Sequence, residues 1–348
     1  MLKLENISLT VGNFELKEIS FEVKRGDYFV ILGLSGVGKS LLLESIAGLI
    51  KPTGGRIFLH GEEITNKNIQ DRNMSIVYQD TDLFPHMDVF ENIAYPLKSR
   101  GEEKIKEKID PITEVLGIMG ILKRKPETLS GGEYQRVSLA RSMAAGNDLF
   151  LLDEPLASLD SKSKSELRAL LRKLNRSGIT IIHVTHDYEE AISLANIIGI
   201  MENNRLVHVA PPEEIFKHPK SEFVAHFIGT KNFFSGKLKS INNTDLKEFS
   251  SSGIKIFCLT GITDGEAFLT IQPEEITIST VSESGSSRNH FAGKIIDIAP
   301  AKQGMEITVN IGVDIIAIIS KESMIGLNLG IGKEAWINFK ASSCKIYN

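Results

Sequence analysis

Apolar and polar residues alternate along residues 3–23, as in Ile19-Ser20-Phe21-Glu22-Val23, and Gly12-Asn13 breaks the run. A period of two predicts a hairpin with one buried face. The pattern then shifts to short, almost wholly apolar runs: Tyr28-Phe29-Val30-Ile31-Leu32, Met74-Ser75-Ile76-Val77-Tyr78, Leu149-Phe150-Leu151-Leu152-Asp153 and residues 179–185. Such runs read as strands buried on both faces. Helical periods lie between them, at 40–47, across 86–145 and at 161–177. Within the long block, the charged stretch 101–110 reads as a solvated helix face. Strands alternating with helices predict an α/β fold, a parallel sheet covered on both faces, with 86–145 inserted as a helical subdomain.

Beyond about residue 230 the pattern becomes all-β, with short strands and turns rich in Gly, Ser and Asn. This tail repeats itself. Phe234-Ser235-Gly236-Lys237-Leu238 matches Phe291-Ala292-Gly293-Lys294-Ile295, and 267–278 aligns with 335–346. We therefore expect two domains, 1–230 and 231–348, the second built from related modules at about 231–280 and 286–348. A Ser-rich link at 280–289 joins them.

Composition adds limits. The 348 residues carry 40 Lys and Arg against 44 Asp and Glu, a net charge of −4. That balance gives no global attraction to nucleic acid or acidic lipid. No apolar run approaches the ~20 residues of a membrane span, and the start of the chain reads as a strand rather than a signal peptide. The two cysteines, Cys258 and Cys344, read as buried thiols of a reducing compartment. A cytoplasmic protein is expected, reaching a membrane only through a partner.

The chemistry begins at Gly33-Leu34-Ser35-Gly36-Val37-Gly38-Lys39-Ser40. This fits the phosphate-binding pattern G-x-x-x-x-G-K-[ST], between a buried strand and a helix as that motif requires. Its glycines let the backbone turn toward a ligand, and the helix N-terminus attracts polyphosphate. Lys39 would pair with the β- and γ-phosphates and Ser40 would hold Mg²⁺. The alternative is a glycine-rich turn without a ligand.

Further motifs narrow the reaction. Leu129-Ser130-Gly131-Gly132-Glu133 precedes a helix expected to begin near Tyr134. It reads either as an anion site or as a plain helix cap with a capping carboxylate. Asp153-Glu154 ends an apolar strand: the first acid suits Mg²⁺, and the second can take a proton from water. Gln79 and His186 end two other strands, where ligands bind in open α/β sheets. Gln79 can reach the metal or the water, and His186 the γ-phosphate.

These motifs, with the turn Ser158-Leu159-Asp160, resemble the ATP-binding cassette family in kind and in order over residues 1–230. The resemblance implies a P-loop NTPase fold, ATP and Mg²⁺. It also implies a head-to-tail homodimer in which Ser130, Gly131 and Gly132 of one chain close on the other chain's phosphate loop. The family's adenine-stacking aromatic would fall near Val11; the nearest aromatic is Phe14, carried as an adenine contact with core packing as the alternative. Phe84-Pro85-His86-Met87-Asp88-Val89 and Pro212-Glu213-Glu214-Ile215-Phe216 resemble the importer branch. That branch implies a membrane permease contacted through the helical insert and the Gln79 loop, a substrate-binding protein, and a peripheral position on the cytoplasmic side of the membrane.

The tail is similar to the small OB-like barrels of such ATPases. Ser286-Ser287-Arg288-Asn289 and Lys340-Ala341-Ser342-Ser343 resemble the molybdate-binding Mop fold. A doubly charged tetrahedral oxyanion needs such cations, hydroxyls and N–H groups. The first copy has Gln272-Pro273-Glu274-Glu275 where the second has Lys340-Ala341-Ser342-Ser343, so only the second suits an anion there. The resemblance implies a molybdate or tungstate importer ATPase with an oxyanion-sensing tail; an importer for sulfate, a sugar, a polyamine or ferric iron shares every ATPase motif. Linker chemistry at 286–289 and a solvated edge lysine at 340 are the plain alternative.

Overall fold

The computed structural model describes residues 1–78, 83–217, 224–225, 230–241, 245–282 and 286–347. The chain forms two compact units, Met1–Glu214 and Ile215–Asn348.

The first unit opens with the hairpin β1 (Leu2–Val11) and β2 (Phe14–Val23). Then come β3 (Tyr28–Leu32), α1 (Lys39–Ala47), β4 (Gly54–Leu59), β5 (Glu62–Glu63) and β6 (Ser75–Val77). Helices α2 (Val89–Ser99), α3 (Ile105–Val115) and α4 (Gly131–Ala144) form the expected helical block. The chain returns through β7 (Leu149–Asp153), α5 (Ser161–Arg176), β8 (Thr180–Thr185), α6 (Tyr188–Leu194), β9 (Ile197–Glu202), β10 (Arg205–Ala210) and α7 (Pro212–Lys217).

Two sheets result, in the orders β2-β1-β4-β5 and β10-β9-β3-β8-β7-β6. In the six-stranded sheet β9, β3, β8, β7 and β6 are parallel, and β10 adds an antiparallel edge. Every residue of β3, β7 and β8 is buried, which explains why those runs lack alternation. Leu42, Leu43 and Ile46 of α1 share one core with Leu4, Ile7 and Leu9 of β1 and with Phe29, Ile31, Ile182 and Val184 of the parallel sheet. Each such fully buried side chain contributes about 1.5–3 kcal/mol, so α1 and the loop before it are fixed from two sides. Arg72 is buried too. Its guanidinium donates to the carbonyls of Ser45 and Ile46 at the end of α1 and to those of Thr65 and Lys67. A cation at a helix C-terminus is favoured by the dipole.

In the second unit, β11 (Asn232–Ser240), β12 (Leu246–Ser251), β13 (Ile254–Leu259), β14 (Gly265–Ile271) and β15 (Thr277–Ser279) come first. They are followed by β16 (Asn289–Ala301), β17 (Gly304–Asn310), β18 (Asp314–Ile319), α8 (Lys321–Gly326), β19 (Glu334–Phe339) and β20 (Cys344–Tyr347). The sheets are β13-β12-β11-β14-β20 and β15-β19-β16-β17-β18. Each copy of the repeat thus sends its last strand into the other copy's sheet, and the two share one apolar core.

Matching asparagines lock this exchange. Asn232 bonds both backbone groups of Ile316, and Asn289 does the same to Phe257. The matching glycines explain the sequence repeat. A Cβ on Gly236 would lie 2.3 Å from the Ser250 carbonyl oxygen, and one on Gly293 2.6 Å from that of Asn310. Neither position can accept a side chain without moving backbone.

Candidate nucleotide and anion sites

Strand β3 delivers the loop at residues 33–40, and the Gly33 N–H donates to the Thr185 carbonyl at the end of β8. Gly36 and Gly38 take φ values of +85° and +93°, conformations open to glycine at little cost. The Phe14 ring lies where a Cβ of Gly38 would fall, 2.7 Å away. Phe14 is half-buried against the core, beneath the loop, and its hairpin partner Val11 is exposed. No side chain caps the N-terminus of α1, so its first N–H groups are left for an anion.

Lys39 is only 5% exposed and curls back over the loop. Its ammonium donates to the Gly33 and Leu34 carbonyls, each at 2.9 Å, and lies 3.9 Å from Glu154. Burial holds its pKa below the ordinary lysine value, against the pull of Glu154 and Asp153. Ser40 Oγ donates to Asp153 Oδ1 at 3.0 Å. Burial pushes the Asp153 carboxyl upward, opposed by the Ser40 hydrogen bond. These are hard oxygen donors, one from α1 and one from β7, converging on one point.

Glu154 follows with φ +44°, an uncommon conformation for a glutamate, held by its N–H on the Val184 carbonyl. Its carboxylate meets His186 Nδ1 at 2.9 Å. The structure therefore gathers Lys39, Ser40, Asp153, Glu154 and His186 at the C-terminal ends of β3, β7 and β8. Gln79 lies outside the described residues.

Ser130 is the N-cap of α4, with a complete capping box: Ser130 Oγ accepts from the Glu133 N–H, and the Glu133 carboxylate from the Ser130 N–H. The helix begins at Gly131, earlier than the expected Tyr134, because the cap lets both glycines enter the first turn. Gly131 and Gly132 lie against Leu159 and Ser163, where Asp160 caps α5. In the single chain the signature thus packs on the start of α5.

One network escaped the sequence reading. Thr185 Oγ1 donates to Glu190 at 2.7 Å and accepts from the Asp187 N–H, which ties the turn holding His186. Behind it the fully buried His183 lies between Tyr28 Oη, at 3.1 Å, and Glu190, at 3.4 Å. A histidine inside an apolar strand was its only signal.

Phe84, Tyr95, Pro96, Arg141, Ser142 and Ala145, with Ser75 and Ile76 of β6, line an open groove of about 330 Å³ where the helical block meets the sheet edge. Phe84 and Tyr95 are in ring contact at 4.8 Å, and the Arg141 guanidinium lies over Phe84.

In the second unit, Asn289 pairs with Phe339 at the end of the β16–β19 ladder, so Arg288 and Lys340 are the next residues outward. Both are exposed and enter no ion pair among the described residues. Ser286 and Ser342 are exposed too, while Ala341 is buried. The Asn289 side chain is turned away from these groups. It is 1% exposed, and its amide is spent on Phe257.

A family model described as ABC transporter matches residues 16–157, and one described as TOBE domain matches 285–346. The chain is 40% identical to the molybdate/tungstate import ATP-binding protein WtpC of Pyrococcus abyssi, over the full length of both. It is 42% identical to the Pyrococcus horikoshii protein of that name, again over both full lengths. A solved dimeric ATP-binding cassette, in a post-hydrolysis state with ADP and Pi, covers 61% of this chain and 98% of its own, with a TM-score of 0.55 and 29% identity. The chain belongs to the ABC transporter family as an ATP-binding, ATP-hydrolysing subunit with a C-terminal TOBE domain. Among the described residues no helix is long and apolar enough to cross a membrane.

Proposed function

We propose that this chain drives an importer for molybdate or tungstate and that its second β module senses the imported oxyanion. The observation that carries the substrate is the asymmetry of the repeat. Arg288 and Lys340 lie just beyond the paired Asn289 and Phe339, with exposed Ser286 and Ser342 two residues further along each segment. In the first copy, by contrast, Gln272 and Glu274 stand where Lys340 and Ser342 would be, with Lys231 in the place of Arg288. The names of the Pyrococcus relatives support the same reading.

The ATP chemistry follows from the first unit. A phosphate entering the loop replaces the carbonyls that now hold Lys39. Ser40 and Asp153 fit Mg²⁺, with Gln79 as a further ligand; the bound ion would neutralise charge on the β- and γ-phosphates. Glu154 accepts the proton of the attacking water, and His186, now on Glu154, turns to the γ-phosphate. The N-terminus of α4, with Ser130, Gly131 and Gly132, completes the site from a second copy, so the working unit is a homodimer. The aromatic groove on α2 and α4 would receive a cytoplasmic segment of the permease, on whose far side a substrate-binding protein delivers the anion. The subunit would then lie on the cytoplasmic side of the membrane.

Calorimetric titration of the full chain with molybdate, tungstate and sulfate tests the substrate. Molybdate and tungstate should bind, sulfate more weakly. Lys340→Ala should weaken binding about tenfold or more, the loss of one charge-assisted contact. Sulfate as the tightest ligand, or no binding of any of the three, would overturn the assignment.

A further inference from the structure

The asymmetry of the repeat extends one pair further than the residues already named. Phe233 and Thr270 are cross-strand partners in the first sheet, and the ring of Phe233 stacks on Phe268. The matching pair in the second sheet is His290 and Asn338. A phenyl ring beside a threonine in one copy is thus an imidazole beside a carboxamide in the other, next to Arg288 and Lys340.

The hydrogen bonds around this pair fix its protonation. Ser279 Oγ donates its single proton to the Val281 carbonyl at 2.8 Å. Toward Asn338 it can then only accept, and Asn338 Nδ2 donates to it at 3.2 Å. That turns Asn338 Oδ1 toward His290 Nδ1, at 2.8 Å. On the ring's other side, Nε2 lies 2.5 Å from the Ser287 carbonyl oxygen. A carboxamide oxygen and a peptide carbonyl only accept. Both ring nitrogens must donate, which only the imidazolium does. A neutral ring breaks the arrangement: either the Ser287 carbonyl is released, or the Asn338 amide turns over and draws the Ser279 proton from Val281.

We propose that His290 is a positioning residue, a proton-dependent clasp that holds the Ser286–Arg288 segment in place for the oxyanion. This rests on the oxyanion reading above. The charged groups sharing this face are Arg288, two residues before His290, and Lys340, two residues after Asn338, with the cross-strand pair Lys294 and Glu334 four residues along; the third strand brings only Thr277 and Ser279. A bound dianion beside the ring would attract its positive charge. Proton and oxyanion therefore each strengthen the binding of the other. The sign follows: oxyanion affinity is highest with the ring protonated and falls as pH rises through the imidazole range.

The test is titration of the full chain with sodium molybdate at about pH 6 and about pH 8, limits that bracket the histidine range. Wild type should bind about fivefold or more tightly at the lower pH. His290→Gln, which keeps a donor but cannot titrate, should bind more weakly at the lower pH and show no pH dependence. A second readout needs no variant binding: ¹⁵N-histidine spectra of the wild-type chain with molybdate at the lower pH should show His290 with both ring N–H groups. Equal affinity at the two pH values, or a singly protonated His290 ring, overturns the clasp and leaves the oxyanion site standing. No molybdate binding at either pH, by protein that still binds ATP, overturns the oxyanion site and the clasp with it.

Discussion

In the first unit the cation is buried and already answered. Lys39 is wrapped by two carbonyls, with Glu154 beside it, and Glu154 is in turn held by His186. In the second unit Arg288 and Lys340 stand in solvent at a strand end, without an ion pair among the described residues. Both places suit a multiply charged anion, but they suit different tasks. A buried, charge-compensated site holds its catalytic groups in register before the nucleotide arrives, as chemistry demands. An open cationic site keeps its charges in water until an anion brings them together, and its affinity follows the anion's concentration. Hydrolysis suits the first arrangement, and the proposed sensing suits the second.

The sharpest way to break this contrast is Glu154→Gln. An amide cannot take the proton from water, so ATP turnover should fall by about 10²-fold or more while ATP still binds. Phosphate release measures the first, and an ATP-dependent shift to dimer on size exclusion the second. Wild-type turnover would remove Glu154 from the chemistry.

A smaller effect tests whether the buried site is complete in one chain. Mixing Lys39→Ala with Ser130→Arg subunits gives heterodimers with one intact composite site and one doubly damaged site. Part of the ATPase activity should return. If heterodimers form and activity stays absent, the signature does not complete the partner's site.

Salt separates the two sites more gently. Exposed charges are screened over about 3 Å at 1 M salt against about 10 Å at 0.1 M, and buried ones much less. Molybdate affinity should therefore drop severalfold on raising sodium chloride, with ATP affinity changing less. The reverse order would mean that the buried and exposed assignments are exchanged.

The smallest expected effect is on the shared core of the tail. Burial pushes the Cys258 thiol up to about 11 and the Cys344 thiol up to about 12. Near pH 8 both stay protonated and should resist iodoacetamide until denaturant is added. Rapid labelling of the native chain, read by mass spectrometry, would show the two sheets opening independently.

The nucleotide site was legible because its parts are fixed by spacing. A loop between a buried strand and a helix, and acids and a histidine at strand ends, are local facts. The Thr185–Glu190 tie was not, since it joins a strand to the helix beyond the turn. In the tail the repeat was plain, but the exchange of β15 and β20 was hidden. Thr277–Ser279 and Cys344–Tyr347 each end their own module, and nothing local says that each pairs across. The place of the Asn289 side chain was hidden for a related reason: it sits in a polar motif, yet its amide serves the far strand. The two units part within α7, earlier than the change of pattern near residue 230 suggests, because that change registers strands rather than compactness.

ATP-driven molybdate uptake into proteoliposomes carrying this chain with its permease tests most directly whether one site drives transport and the other restrains it. Molybdate is raised on the ATPase side while uptake is followed. Uptake should fall as that concentration rises, and Lys340→Ala should relieve the fall. A tenfold preference of the anion for the resting state, about 1.4 kcal/mol, is enough to lower the flux. Inhibition that persists unchanged in Lys340→Ala, or uptake indifferent to molybdate on the ATPase side, would contradict a sensing role for the second module.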